Sequence, residues 1–70
     1  MKVSTRNTFG GKVKKIEHGS VNSEVIIELP GGQEIVSIIT KTSAENLNLA
    51  IGKNVYVLIK ASNVLIATDD

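Results

Sequence analysis

Small hydrogen-bond donors lie beside isolated cations at three places in the sequence. The groups are Ser4, Arg6 and Asn7; Thr40, Thr42 and Ser43; and Lys60, Ala61 and Ser62. Each group falls at the predicted end of an element, where backbone N–H groups often lack a partner and can point at a ligand. A dianion that keeps no proton at neutral pH needs donors only. The combination favours an anion site, although Ser and Thr at helix starts are also ordinary caps.

The residues needed for catalysis or for binding a metal cation are scarce. The chain has no cysteine and one histidine, His18, which lies beside Gly19 in a predicted loop. Thiolate sites and imidazole clusters are therefore excluded, and no serine has a histidine and a carboxylate placed as a relay. We expect the protein not to be an enzyme.

Length and charge suit one small domain. The 70 residues include eight basic and seven acidic side chains, for a formal net charge of +1, and the lysines are scattered. Binding of a polyanion through bulk charge is therefore not favoured. No linker or repeat divides the chain, so one domain over residues 1–70 is predicted. Because there is no apolar signal core or membrane span, we expect a cytoplasmic protein with no membrane partner.

Apolar periodicity predicts five strands. They cover residues 8–16, 19–29, 33–40, 55–60 and 64–67. In the first strand the apolar positions shift from odd (Phe9, Val13) to even (Ile16), which predicts a bulge or bend. The second strand alternates with a period of two, and Pro30-Gly31-Gly32 predicts a hairpin turn to the third.

A short helix or single turn is predicted between strands three and four. Thr42 and Glu45 have capping-box spacing, Ser43 is an alternative N-cap, and Gly52 suits a C-terminal stop. Three strands, a short helix and two strands is the element order of a five-stranded OB-like barrel. The fold prediction is therefore all-β, although another small β-barrel with the same element order also fits the pattern.

Several strands are apolar on both faces. Together they carry more apolar surface than one small barrel can cover. The outward side chains of Ile26, Val36, Ile38 and Leu58 are then left for a partner subunit. The alternative interpretation is that these are ordinary scattered apolar side chains on the surface.

The barrel fold raises nucleic-acid binding as an alternative function, because OB folds stack bases on aromatic side chains in a basic groove. Only Phe9 and Tyr56 are available as stacking platforms, and the net charge is close to zero. This alternative depends on fold analogy alone, so we expect no nucleic-acid partner. An oligomeric structural module without a ligand is a third alternative.

Four segments of the chain form a pattern found together in one protein family. They are Ser4-Thr5-Arg6-Asn7, Gly19 to Val25, Ser37 to Thr40 followed by Ser43, and Leu58 to Ser62. With these segments the sequence resembles the molbindins, the small Mop-type molybdate-binding domains, over almost its whole length. The Ser-x-Arg-Asn start combined with the later Ile-Lys-Ala-Ser is the most specific part of the resemblance.

The resemblance implies a hexamer, built as a trimer of dimers, that holds molybdate or tungstate between subunits. We expect no organic cofactor, because a pterin pocket would need stacking aromatic side chains and carboxylates that are missing here. Carried over to this chain, one kind of site would be built by two copies from Ser4, Arg6, Thr40, Ser43, Lys60, the Ala61 N–H group and Ser62. A second kind, near a threefold axis, would use His18, Gly19, Ser20, Val21 and Asn22. The chain departs from tandem and fused family members in being a single repeat. This departure favours storage, buffering or homeostasis of the ion over transport or transcriptional control.

Overall fold

A computed structural model describes residues 1–70 and contains four strands, one short helix and one 3₁₀ turn. In chain order the elements are β1 (Asn7–His18), β2 (Asn22–Glu28), β3 (Glu34–Thr40), α1 (Lys41–Asn46), β4 (Asn54–Ile59) and the 3₁₀ turn Ala61–Asn63. The strands form one antiparallel sheet in the order β3-β2-β1-β4. The all-β class and the helix between the third and fourth strands are therefore confirmed.

The long strand β1 joins the two halves of this sheet. Its first half pairs with β4 and its second half pairs with β2. The register to β2 shifts between Val13 and Lys15, which confirms the predicted bulge and leaves Lys14 as the extra residue. The bulge bends β1, so the sheet curls into an open half-barrel.

The core lies on the concave face of the half-barrel and is small. Val13, Val25 and Ile27 are its buried members, and Ile16, Ile39, Leu49, Val55 and Val57 pack against them. The alternation predicted for β2 is confirmed, because Ser23, Val25 and Ile27 are buried while their neighbours are not. With so few buried residues, one copy of the chain gains little stability from its own core.

The turn between β2 and β3 forms where Pro30-Gly31-Gly32 predicts it. The N–H group of Leu29 donates to the carbonyl of Gln33 at 2.8 Å, and that of Gly32 donates to the carbonyl of Leu29 at 2.9 Å. Gly32 has a φ of 90°, which glycine adopts without strain.

Helix α1 begins two residues earlier than the capping-box spacing predicts. Its N-cap is Thr40, whose side chain accepts from the N–H group of Ser43, so the predictions of Thr42 or Ser43 as the cap were wrong. The helix ends at Asn46, well before Gly52. Thr40 is the last residue of β3, and its extended φ and ψ of −67° and 149° suit an N-cap, which sequence spacing alone does not reveal.

The predicted fifth strand over residues 64–67 is wrong, and the barrel has four strands in this chain. Val64 is extended, with a φ of −87° and a ψ of 120°, but residues 64–67 pair with no other strand. Alternating apolar residues indicate a segment that can form a strand, whereas the strand itself needs a neighbouring edge for its backbone groups. Within this chain no edge meets the segment.

The outward face of the half-barrel keeps its apolar side chains in solvent. Val36 and Ile38 are each 60% exposed, Tyr56 is 66% exposed and Leu58 is 44% exposed. The chain therefore carries a large apolar surface that its own residues do not cover. No helix of the protein has the length and apolar character needed to cross a bilayer.

Candidate functional site

The N-terminal segment and the end of β4 meet in an open groove of about 710 Å³. We call it the donor groove, and its lining residues are Val3, Ser4, Thr5, Arg6, Leu58, Lys60, Ala61 and Ser62. Two of the three predicted donor groups thus come together although more than fifty positions separate them in the sequence. The lining contains two cations and no carboxylate, so its electrostatic field favours an anion.

The carbonyl of Ile59 holds the two sides of the donor groove together. It accepts from the hydroxyl of Thr5 at 2.6 Å and from the side-chain amide of Asn7 at 3.1 Å. Asn7 also pairs with Ile59 in the β1–β4 ladder. Thr5 and Asn7 therefore place Ser4 and Arg6 beside Lys60, while their own donors are used within the chain.

The prediction of the site residues missed this role of Thr5. The residue types gave no signal for it, because Ser4, Thr5, Arg6 and Asn7 are all polar. Only the structure distinguishes them, since Thr5 and Asn7 are half-buried while Ser4 and Arg6 are exposed.

The 3₁₀ turn supplies backbone donors to the donor groove. Lys60 is its N-cap and makes no capping bond with its side chain, so the ammonium group stays free for another contact. The N–H groups of Ala61 and Ser62 have no acceptor in the backbone network of the chain, as expected for the first turn of a helix. Neither Arg6 nor Lys60 forms an ion pair in the chain.

The third predicted donor group lies elsewhere. Thr40 donates its hydroxyl proton to the hydroxyl of Ser43 at 2.8 Å and accepts from the N–H group of Ser43 at 3.1 Å. Neither residue lines the donor groove. Thr40 ends β3 and pairs with Asn22 at the start of β2, next to the C-terminal end of β1, whereas the donor groove lies at the N-terminal end of β1.

The length of β1 separates these two groups within one chain. The strand has 12 residues, which at about 3.3 Å per residue corresponds to up to about 36 Å along its path. The two groups thus lie at opposite ends of a long strand, and we do not expect one small anion to contact both groups of the same copy.

The loop between β1 and β2 lies beside Thr40 and Ser43. The carbonyl of Val21 accepts from the N–H group of Lys41 at 2.8 Å, which joins the loop to the start of α1. Gly19 donates to the carbonyl of Asn22 at 2.7 Å, and a Cβ atom at Gly19 would lie 2.9 Å from that same oxygen. The loop therefore needs glycine at this position for close approach of the backbone.

His18 is anchored at the base of this loop. Its Nδ1 lies 2.6 Å from the hydroxyl oxygen of Ser23, which is fully buried. Ser23 was not among the predicted site residues, and its place in the apolar alternation of β2 was the available signal. Ser20 and Val21, at the tip of the loop, are exposed.

Two titratable groups have shifted pKa values, and both lie outside the donor groove. Hydrogen bonds and ion pairs with Glu34 and then Glu28 raise the pKa of Lys14, which reaches across β2 to β3 from the bulge. This pairing favours the folded state up to the ordinary lysine pKa of 10.5 and is lost as the pH rises through the higher folded value. A hydrogen bond from Thr68 lowers the pKa of Asp70.

The architecture is that of an OB-like all-β domain with an anion-attracting groove at one end, and a model of the TOBE domain matches residues 3–66. The chain belongs to the TOBE domain family and, within it, to the molbindins, the Mop-type proteins. The resemblance noted in the sequence is thereby confirmed.

Relatives of two lengths match the chain. It is 42% identical over 69 residues to a probable molybdenum-pterin-binding protein of Haemophilus influenzae, with 99% of this chain and 100% of the relative covered. It is 51% identical over 69 residues to the molybdenum transport protein ModE of Azotobacter vinelandii, with 99% of this chain but only 26% of the relative covered. The chain thus spans about a quarter of the length of the ModE protein and the whole length of the shorter relative.

Solved structures share the fold. MopII of Clostridium pasteurianum superposes with a TM-score of 0.91 at 36% identity, with 96% of this chain and 100% of that one covered. The cytoplasmic molybdate-binding protein ModG, in a form with molybdate bound, superposes with a TM-score of 0.89 at 46% identity, with 93% of this chain and 46% of that one covered. These neighbours support the OB-like description of the half-barrel.

Proposed function

We propose that the protein binds molybdate, and also tungstate, in the donor groove at an interface between two copies of the chain. The observation that carries the proposal is the lining of the groove, which has two unpaired cations, hydroxyls and free N–H groups but no carboxylate. Such a lining offers many donors and no negatively charged acceptor, which suits an unprotonated dianion. The molybdate bound to ModG supports the choice of ion.

The donor groove discriminates among oxyanions by size and protonation. Molybdate and tungstate are larger than sulfate, and unlike phosphate they carry no proton at neutral pH. A rigid cage of donors sized for the longer metal–oxygen bonds rejects sulfate by misfit. It disfavours phosphate because the groove has no carboxylate to accept from the O–H group of phosphate. Molybdate and tungstate are nearly equal in size, so we expect the site to accept both.

The ligand set of the proposed site comes from two copies. Ser4, Arg6, Lys60, the Ala61 N–H group and Ser62 come from the groove of one copy. Thr40 and Ser43 come from the other copy, because in one chain they lie at the opposite end of β1 from the groove. Binding and assembly then reinforce each other, since the complete site exists only in the oligomer.

The proposed assembly is a homohexamer built as a trimer of dimers. The uncovered apolar side chains of Val36, Ile38, Tyr56 and Leu58 support an extensive interface between copies. A second kind of anion site is proposed at the loop of His18, Gly19, Ser20, Val21 and Asn22, whose glycine-dependent close turn supports it.

The proposed role is storage, buffering or homeostasis of molybdenum in the cytoplasm, without catalysis and without an organic cofactor. The full-length match to the short Haemophilus influenzae relative supports a role for the domain by itself. Transport, the activity in the name of the ModE relative, belongs to a protein about four times longer than this chain.

Isothermal titration of the oxyanion-free protein with molybdate tests the proposal, together with the mass of the assembly before and after addition. We expect tight binding that excess sulfate or phosphate does not displace. Separate titrations with tungstate and with a pterin test the breadth of the site, and only tungstate is expected to bind. Absence of heat with molybdate, or equal displacement by sulfate, would contradict the proposed function.

A further inference from the structure

Ser23 is the one polar residue that the fold buries completely. It is 0% exposed and lies in the row of β2 that faces the core, in line with the buried Val25 and Ile27. An apolar side chain would continue this row, whereas a buried hydroxyl loses its contact with water and needs a partner within the protein. Packing of the core therefore does not require a serine at this position.

The partner of the Ser23 hydroxyl is the ring of His18. The two residues lie opposite each other in the β1–β2 ladder, so their side chains share the core face of the sheet. Nδ1 of His18 lies 2.6 Å from the hydroxyl oxygen, and neither side chain makes another hydrogen bond within the chain. This single bond satisfies the buried hydroxyl.

The burial of Ser23 sets the direction of this bond. A hydroxyl hydrogen without an acceptor is costly in a place that water does not reach, and the acceptor within hydrogen-bond distance of it is Nδ1 of His18. The hydroxyl therefore donates to Nδ1, and a neutral ring then carries its proton on Nε2. The opposite arrangement, in which Nδ1–H donates to the serine oxygen, would leave the buried O–H group without an acceptor.

His18 ends β1 and directly precedes the loop of the proposed second oxyanion site. Nε2 of its ring has no partner in the chain, and the side chain is exposed. The N–H groups of Ser20 and Val21, at the tip of this loop, also have no acceptor in the backbone network. Successive free backbone donors of this kind form anion-binding concavities in proteins. An Nε2–H group adds a side-chain donor at the base of the same loop.

The acidic residues next to His18 and Ser23 lie on the other face of the sheet. Glu17 and Glu24 pair with each other across β1 and β2. Because successive side chains of a strand point to opposite faces, both carboxylates lie on the outward face, away from the ring. The start of α1, which is joined to the loop by a backbone bond, carries a cation at Lys41. The surroundings of the ring therefore suit an anion.

We propose that Ser23 is a positioning residue of the second oxyanion site. Its hydroxyl fixes the ring of His18 and keeps the ring proton on Nε2, which serves as a neutral donor to an unprotonated tetrahedral dianion at the loop. This role rests on the second site of the proposed function, whereas the direction of the bond between Ser23 and His18 does not. The second site then differs from the donor groove, whose lining holds two cations.

The tautomer of His18 is the first test and needs no substitution. His18 is the one histidine of the chain, so the ring signals of the isotope-labelled protein are unambiguous. Proton–nitrogen correlation spectra of the oxyanion-free protein are recorded at about pH 8, where histidine is ordinarily neutral. We expect a proton on Nε2 and the shift of a hydrogen-bond acceptor on Nδ1. A proton on Nδ1 overturns the proposal.

The variant Ser23→Ala removes the hydroxyl and fills the buried position with an apolar group. We expect the hydrogen-bond shift of Nδ1 to disappear and the Nδ1–H form to appear. The matched control is Ser37→Ala, the same substitution on the core face of β3, opposite Val25 instead of His18. It should leave the ring signals unchanged, because Ser37 makes no bond to the ring.

A titration with molybdate, followed at single amide signals, measures the two sites separately. The signals of Ser20 and Val21 report the loop, and that of Ser62 reports the donor groove. We expect Ser23→Ala to weaken binding at the loop by about two- to tenfold, the effect of losing one neutral hydrogen bond, and to leave binding at the groove unchanged. Unchanged affinity at the loop overturns the positioning role.

A double substitution distinguishes positioning from a merely structural role. If Ser23 acts through His18, Ser23→Ala should cause no further loss of affinity at the loop in a chain that already carries His18→Ala. An additional loss of similar size contradicts the proposal. If molybdate saturates the groove without moving the loop signals, the second site is wrong and this role fails with it, while the groove assignment stands. Absence of binding at both sites would contradict the proposed function as a whole.

Discussion

Arg6 and Lys60 approach the donor groove from opposite ends of the sequence, and the bonds of Thr5 and Asn7 to Ile59 hold them together. The chain places two cations near each other with no carboxylate between them. Both cations line the groove, so both should contribute to the affinity for a dianion.

We therefore expect Arg6→Ala and Lys60→Ala each to weaken molybdate binding by about 2 to 5 kcal/mol, the usual cost of removing one partner from a buried charge-assisted contact. Isothermal titration of each variant measures the loss. The matched control is Lys15→Ala, an exposed lysine on β1 outside the groove, which should bind as the parent protein does. Unchanged affinity in both groove variants would remove this site assignment.

Alanine substitutions at Thr40 and Ser43 distinguish a structural role from a role in binding. Thr40→Ala removes the helix cap, because its hydroxyl oxygen accepts from the N–H group of Ser43, and should lower the free energy of unfolding by about 0.5 to 2 kcal/mol. Ser43→Ala retains that N–H group and should leave the free energy of unfolding within about 0.5 kcal/mol of the parent value. We expect both variants to weaken molybdate binding. Urea unfolding beside titration distinguishes the two effects, and equal destabilisation would contradict the capping geometry.

The two glycines of β1 give a matched pair that tests how closely β1 approaches β2. A Cβ atom at Gly11 would lie 2.6 Å from Cγ2 of Ile27 and 2.8 Å from the carbonyl oxygen of Glu28, whereas at Gly10 nothing lies within 4 Å. Gly11→Ala should therefore destabilise the protein by about 1 to 3 kcal/mol through overpacking. Gly10→Ala should be close to neutral in the same urea unfolding experiment. The description of the half-barrel fails if the two variants unfold alike.

The elements that sequence predicts well are those whose signal is local. The shift of apolar positions between Val13 and Ile16 predicted the bulge, because alternation on one strand records directly which residues face the core. The turn at Pro30-Gly31-Gly32 was predicted for a similar reason, since proline and glycine limit the backbone locally.

The predictions that failed depend on information outside the segment concerned. The cap at Thr40 depends on where β3 stops, and several Ser and Thr residues nearby have equally suitable side chains. The segment over residues 64–67 has the composition of a strand, but pairing requires an edge that its own chain does not bring to it. The residue types of the site were predicted from the sequence. Strand register, which the sequence does not show, places Thr40 and Ser43 at the opposite end of β1 from the donor groove.

At the level of the whole molecule, a substitution on the outward face of β3 tests whether the exposed apolar side chains form an interface between copies. Ile38 is 60% exposed and lies opposite Glu24 on β2. Ile38→Lys therefore places opposite charges across the strand pair, which the protomer tolerates, while it introduces a charge into the proposed interface. We expect the oligomer to dissociate in sedimentation while the β-sheet signal in circular dichroism is retained. The control Ile51→Lys changes an exposed apolar residue in the turn before β4 and should leave assembly intact.

The central claim is that each molybdate is held by the groove of one copy and the helix start of another. The most direct measurement mixes Lys60→Ala chains with Ser43→Ala chains, refolds them together and titrates the mixture with molybdate. In a two-fold pair of one chain of each kind, one site carries both substitutions and the other carries neither. Sites of parental affinity should therefore return at about a quarter of the parental number under random pairing. If the mixture binds no better than the two variants measured separately, the site is not shared between copies and the account is wrong.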